Sequence, residues 1–266
     1  MKLRANGIET YYEVEGDGPV VLMSHALGTN VHLWDAQVAH LRGRYKIVRY
    51  DTRGHGQTSA PDGAYTLDQL ADDAHALLEH LGLPQVHWVG LSMGGMVGQT
   101  FALRYPAMVA SLTLADTTSR YPADALAVWE GRIRVVRGQG MAPIAEANLG
   151  RWFTAPFRAR RKDLMERVGS MIRATPAAGY IGCCHALPKI NVTDRLEALT
   201  CPVIVIVGEE DPGTPIEMAR EIHGALPQAE LEILRAASHL SNLEQPDEFN
   251  RVLAGFLDKA AGKNTR

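Results

Sequence analysis

Short apolar runs of strand length alternate with helical patterns through most of the chain, and this alternation is what most constrains its fold. Val20-Val21-Leu22-Met23 is followed by a helical pattern over 31–41, Ile47-Val48-Arg49-Tyr50 by an amphipathic stretch over 67–81, and residues 86–91 by an apolar helix over 93–104. Strand patterns return at 111–115, 203–207 and 231–234, with helical patterns over 216–226 and 246–257. Parallel neighbours need a crossover long enough to carry the chain back to its starting edge. Strands spaced by helices therefore imply a mostly parallel, twisted α/β sheet flanked by helices. The alternation fails between 117 and 200, where helical, arginine-rich sequence intervenes. Between Arg120 and Arg173 ten arginines and one lysine stand against five acids, a local balance of +6, while the whole chain carries −3 and the remainder therefore −9. A mid-chain segment with its own charge balance reads as an insertion. The expected organisation is a core over 1–118, a helical cap over 119–195 and the second part of the core over 196–266. The start reads as a short hairpin over 7–16, and 260–266 as a frayed tail.

With 46% hydrophobic and 21% charged residues in 266, the chain has the composition of a soluble globular protein, not of a disordered or fibrous one. No apolar run approaches the ~20 residues of a membrane helix, and Met1-Lys2-Leu3-Arg4-Ala5-Asn6-Gly7 lacks the apolar core of a secretory signal. A cytoplasmic protein with no membrane partner is expected. The net charge of −3 offers nucleic acid no electrostatic footprint. Three cysteines, two of them adjacent at Cys183 and Cys184 and the third at Cys201, make neither a disulfide framework nor a zinc pattern.

Chemistry concentrates where a strand turns into a helix. Gly90-Leu91-Ser92-Met93-Gly94 follows the apolar run Val86-His87-Trp88-Val89 and opens a helix at Gly95-Met96-Val97-Gly98. A serine on such a tight turn is lifted out of the backbone, and the glycines remove the Cβ atoms that would collide where strand and helix cross. A serine hydroxyl needs a base to attack an ester, and the base needs an orienting acid. His239 ends a strand and its exit loop just before the last helix, so a parallel sheet brings it to the same edge as Ser92. His75, His80 and His223 fall on amphipathic helices, and His87 lies inside a strand. Asp211 follows the strand at 203–207 and is the expected acid, with Asp116, at the end of the preceding strand, as the competing position. Glu209 and Glu210 read as a solvated turn.

The order Ser92, Asp211, His239 is that of the α/β-hydrolase triad, and the chain resembles that superfamily at two further stretches. Ser24-His25-Ala26-Leu27-Gly28 is similar to its oxyanion loop, which implies backbone donors at Leu27 and Met93 and a structural role for His25. Asp51-Thr52-Arg53-Gly54-His55-Gly56-Gln57-Thr58-Ser59 is similar to its structural turn after the next strand. Within the superfamily the chain resembles the 3-oxoadipate enol-lactonases of bacterial aromatic catabolism. The likeness is carried by Arg49–Gly56, Gly90–Gly95, Arg151-Trp152-Phe153-Thr154, the Gly179–Cys184 region and Ser238-His239-Leu240-Ser241-Asn242-Leu243-Glu244. That resemblance implies an α/β-hydrolase fold with a cap and a serine hydrolase that opens a small carboxylated enol lactone through an acyl-enzyme. It implies a small-molecule ester or lactone as the partner, with neither metal nor organic cofactor.

An anionic substrate gives the cap charge a use. Arg151, beside Trp152, is the expected contact for the substrate carboxylate, and Trp129, Trp152 and Phe153 are expected to wall the pocket. Arg158, Arg160, Arg161 and Arg167 read as a solvated helix face, and Cys183 and Cys184 as buried bystanders. The same triad would also serve a broad-range carboxylesterase or lactonase, or a perhydrolase, and α/β-hydrolase-fold proteins that only bind ligands can retain it. Ser92 stands where haloalkane dehalogenases and epoxide hydrolases carry an aspartate nucleophile.

Overall fold

A computed structural model describes residues 1–262. Eight strands form one sheet in the order β1-β2-β4-β3-β5-β6-β7-β8. They are β1 Lys2–Ala5, β2 Ile8–Glu15, β3 Val20–Ser24, β4 Lys46–Tyr50, β5 Val86–Leu91, β6 Val109–Ala115, β7 Val203–Gly208 and β8 Glu230–Leu234. β1 pairs antiparallel with β2 and β2 with β4, while every pairing from β4 through β8 is parallel. β5 and β7 are buried along their whole length, as expected of central parallel strands covered on both faces.

The opening hairpin differs from the sequence expectation. It spans β1 and β2 rather than 7–16, and its two-residue turn is Asn6-Gly7, with φ of 46° and 77°. Both angles are positive, which is what a type I′ turn requires and what Asn-Gly supplies at low cost.

α2 (Leu67–His80) packs on α3 (Met93–Arg104), which lies across β3, β5 and β6. α1 (Asp35–Leu41) packs on α11 (Pro246–Ala260), which touches β6 and β8. The expected helix over 31–41 is split, a 3-10 turn Val31–Trp34 leading into α1. α9 (Ile216–Ala225) crosses over between β7 and β8, and α10 (Ser241–Glu244) is one short turn before α11. Between β6 and β7 lie α4 (Ala125–Gln139), α5 (Ala142–Trp152), α6 (Ala155–Arg160), α7 (Lys162–Ala174) and α8 (Ala177–Ala186). They pack mainly on one another, α5 on α7 and α4 on α8. α7 shows why: Leu164, Val168 and Ile172 are buried at helical spacing, while its charges face out.

Two of the arginines read as a solvated face do more. Arg167 reaches down from α7 to the Asp35 carboxylate and, at 2.8 Å, to the carbonyl of His32, tying this helical layer to the sheet layer. Arg158 donates to the carbonyls of Gly150, at 2.7 Å, and Phe153, closing the turn between α5 and α6. Among the described residues no helix is long and apolar enough to cross a membrane.

Candidate active site

Ser92 sits between β5 and α3 with φ 54° and ψ −113°, a conformation that costs a non-glycine residue about 1–3 kcal/mol. The surroundings hold it there. Its N–H donates to Ala115 O at 2.9 Å, its carbonyl accepts from Gly95 N at 3.0 Å, and Thr117 Oγ1 donates to the same carbonyl at 2.8 Å. The flanking glycines are required by space: a Cβ at Gly94 would stand 2.0 Å from the carbonyl oxygen of Ser24, and one at Gly90 2.2 Å from that of Gly94.

Because β5, β6, β7 and β8 run parallel, their carboxyl ends deliver Ser92, Asp116, Asp211 and His239 to one edge. His239 Nε2 lies 3.0 Å from Ser92 Oγ, and its Nδ1 lies 2.8 Å from Asp211 Oδ2. With the proton on Nδ1, donated to Asp211, Nε2 is free to accept the Ser92 hydroxyl proton. Asp211 is itself fixed, accepting from Gly213 N at 2.7 Å, Thr214 N at 3.1 Å and Thr214 Oγ1 at 2.7 Å. Burial alone would raise the pKa of Asp211, but the His239 charge and these hydrogen bonds outweigh it and lower it. Burial likewise works to lower that of His239, and the facing Asp211 carboxylate raises it overall.

Asp116 does not reach His239. Its carboxyl accepts from Gly208 N at 2.8 Å and meets Ser241 Oγ at 2.6 Å, so it bridges the end of β7 and the start of α10. Complete burial, followed by the charge of Asp211, pushes its pKa up to about 8. Glu209 and Glu210 are exposed.

Leu27, on the loop after β3, lines the same cavity as Ser92, and Met93 is the first residue of α3. Among the described residues neither backbone N–H donates to a protein acceptor. Two buried histidines hold the Leu27 loop. His25 Nδ1 meets Ala26 O at 2.8 Å and its Nε2 accepts Thr52 N at 3.0 Å, while His55 Nε2 accepts Gly28 N at 2.9 Å. Burial lowers the pKa of both, to about 4 for His25 and about 3 for His55, so both are neutral spacers at ordinary pH.

A cavity of about 50 Å³ opens over Ser92 and His239, and its remaining walls include Leu27, Tyr121, Trp129, Arg132, Arg151 and Trp152. The Trp152 ring centroid is 5.8 Å from that of His239. Phe153, expected in the wall, is not there: it is buried and stacks on Phe157 of α6, with ring centroids 5.5 Å apart. Arg132, unforeseen from sequence, is. It lies over the Trp129 ring at 4.8 Å and donates to Tyr180 Oη at 3.3 Å. Its signal was the spacing Trp129 to Arg132, three residues apart and so on one helix face. Arg151 donates to Asn148 Oδ1 at 2.9 Å. Partial enclosure of its guanidinium, then the like charge of Arg132, lowers its pKa. Among the described residues neither arginine forms an ion pair with a carboxylate. Cys183 and Cys184 are buried, and burial raises both thiol pKa values, to about 12 for Cys184. A larger groove of about 710 Å³ lies at the opposite edge, by the first residues of β7 and β8, and lacks any serine or histidine.

Fold and site together define an α/β hydrolase with a strand-to-helix serine, and the comparisons agree. The α/β hydrolase fold family matches residues 19–246, and the chain belongs to it. It is 37% identical to 3-oxoadipate enol-lactonase 2 of Acinetobacter baylyi over 92% of this chain and 91% of that one. The crystal structure of an enol-lactonase from Burkholderia xenovorans superposes with a TM-score of 0.93 at 32% identity, covering 97% of this chain and 99% of that one. A thermophilic esterase from Thermogutta terrifontis superposes at 0.91 with 30% identity, covering 95% and 94%. The protein is a carboxylic-ester hydrolase similar to the 3-oxoadipate enol-lactonases.

Proposed function

We propose that the protein opens a small carboxylated enol lactone, 3-oxoadipate enol-lactone, to 3-oxoadipate. Ser92 Oγ attacks the ring carbonyl as His239 Nε2 takes its proton, and the carbonyl oxygen gains charge between the Leu27 and Met93 N–H groups. Asp211 holds the imidazole with its proton on Nδ1 and favours the imidazolium that forms. Collapse breaks the ring C–O bond, and the imidazolium proton goes to the departing enol oxygen. Tautomerisation of that enol to a ketone removes the tethered nucleophile that would otherwise close the ring again. His239 then draws a proton from water, the hydroxide adds to the acyl carbon, and Ser92 Oγ leaves with the proton.

The observation that carries the substrate class is the pair Arg132 and Arg151 in the wall over Ser92, two guanidinium groups that pair with no carboxylate among the described residues. Uncompensated cations over the nucleophile favour an anionic ligand, and guanidinium suits a carboxylate. The enol-lactonase relatives support the same reading. Product analysis tests it: the wild type should convert the lactone to 3-oxoadipate, while Ser92→Ala should leave only the spontaneous rate. Equal rates for the two would overturn the proposal. The esterase neighbour supports a second reading, a broad carboxylesterase with the same triad, which the ratio of lactone to simple-ester turnover separates.

A further inference from the structure

Two buried carboxyl groups beside His239 are not used by the proposed chemistry, Asp116 and Glu244. Asp116 fastens Ser241 to the sheet. Glu244 is placed differently. It is 4% exposed at the end of α10, and each of its hydrogen bonds lands within two residues of one that lines the cavity. Its Oε2 accepts Ser238 N at 2.9 Å, immediately before His239. Its Oε1 accepts Thr154 N at 3.0 Å and also the Thr154 hydroxyl, two residues beyond Trp152. The same two segments are joined twice more: Leu240 N donates to Trp152 O at 3.2 Å, and Ser238 Oγ to Arg151 O at 2.8 Å. Residues 151–154, which carry one of the two wall arginines and an indole packed on the imidazole, thus hang on the loop that carries the base.

We infer that Glu244 is a positioning residue that sets His239 and the Arg151–Trp152 wall in one frame, so that the groove that binds substrate and the base that acts on it keep a fixed relation. A carboxyl group suits the task because both its oxygens accept, and three donors converge on it. Glutamine cannot replace it, since its NH₂ would face an N–H and leave at least one buried donor unpaired. Misplacing a reacting group by about 1 Å costs on the order of 100-fold in rate, so small shifts of this frame should be visible in kinetics.

The part of the inference that concerns substrate binding rests on the lactone reading, and the part that concerns His239 does not. The test uses Glu244→Gln, Thr154→Val and Thr154→Ser in the full chain, with active sites counted by fluorophosphonate labelling. In Glu244→Gln and Thr154→Val, kcat per labelled site on p-nitrophenyl acetate should fall roughly 10- to 100-fold. KM for the enol lactone should rise several-fold, while KM for the neutral ester stays unchanged. Thr154→Ser, which keeps the hydroxyl, should restore most of the loss. A lowered Tm with per-site kcat and lactone KM within twofold of wild type would overturn the inference. If Glu244→Gln does not fold, Thr154→Val decides by the same criteria. Should the wild type fail to turn over the lactone, the proposed function falls, and kcat on p-nitrophenyl acetate still decides the role of Glu244.

Discussion

The sheet edge and the helical wall above it treat polar groups in opposite ways. At the edge every side chain that touches Ser92 or His239 is matched: imidazole to carboxylate, and that carboxylate to two N–H groups and a hydroxyl. In the wall, Arg132 and Arg151 are left with neutral acceptors, a tyrosine hydroxyl and an asparagine oxygen. Matched groups suit a geometry that must not change during reaction, and unmatched cations suit a site that is completed by an anionic ligand. On the proposed function, the sheet edge serves the chemistry and the wall the recognition of substrate.

Breaking the edge should have the largest effect. Ser92→Ala or His239→Ala should lower kcat by about 10⁴–10⁶-fold on lactone and simple ester alike. Asp211→Asn should cost about 10⁴-fold, because the imidazole loses the tautomer it needs. That variant also tests the electrostatics. Activity requires neutral His239, so kcat/KM should fall as pH drops through a midpoint above the ordinary imidazole value of about 6.5. Removing the Asp211 charge that raises this pKa should move the acid limb to lower pH in the residual activity.

Breaking the wall should be milder and selective. Arg151→Ala or Arg132→Ala removes one charge-assisted contact of ~1.5–3 kcal/mol. KM for the carboxylated lactone should rise roughly 10- to 100-fold, with p-nitrophenyl acetate nearly unaffected. Equal losses on both substrates would dissolve the distinction between edge and wall.

Asp116 sharpens the comparison from within the edge, because it lies beside the triad without touching His239. Asp116→Asn imitates its protonated form and should keep kcat/KM at pH 7 within about threefold of wild type. Its effect should appear in stability. An unfolded aspartate ionises near ~3.9, whereas the folded one keeps its proton well above that. Folding therefore takes up a proton in this window, and wild-type stability falls as pH rises. The asparagine variant lacks that term, while its NH₂ faces Ser241 N–H at every pH, so its Tm relative to the wild type's should rise from pH 4 to pH 8 by about 2–4 °C or more, roughly 1 kcal/mol.

What could be read from sequence follows the range of the forces involved. Ser92 and Met93 are local, since the glycines at 90 and 94 specify the turn without outside help. Asp211 and His239 lie far from Ser92 along the chain, yet parallel pairing sends every strand end to one edge, so their meeting needed no contact information. The opening hairpin was misplaced because Tyr11 and Tyr12 blur its alternation, although Asn6-Gly7 marks the turn. Phe153 was expected in the wall because it adjoins Trp152. Adjacent residues at a helix end point in different directions, and this one faces Phe157. Arg132 was hidden among other arginines, since nothing along the chain tells an ion-paired arginine such as Arg120 from an unpaired one. Glu244 and Thr154 meet across 90 residues of intervening chain. Such a contact exists only once the helical insertion is docked on the sheet.

The central claim is that edge and wall together make an enol-lactonase. The most direct measurement is kcat/KM on 3-oxoadipate enol-lactone against kcat/KM on p-nitrophenyl acetate, in the wild type with Ser92→Ala as background. A preference for the lactone of about 100-fold or more, ~2.7 kcal/mol of additional transition-state stabilisation, is the predicted result. Equal or faster turnover of the simple ester would contradict it and make the protein a general esterase working through the same serine.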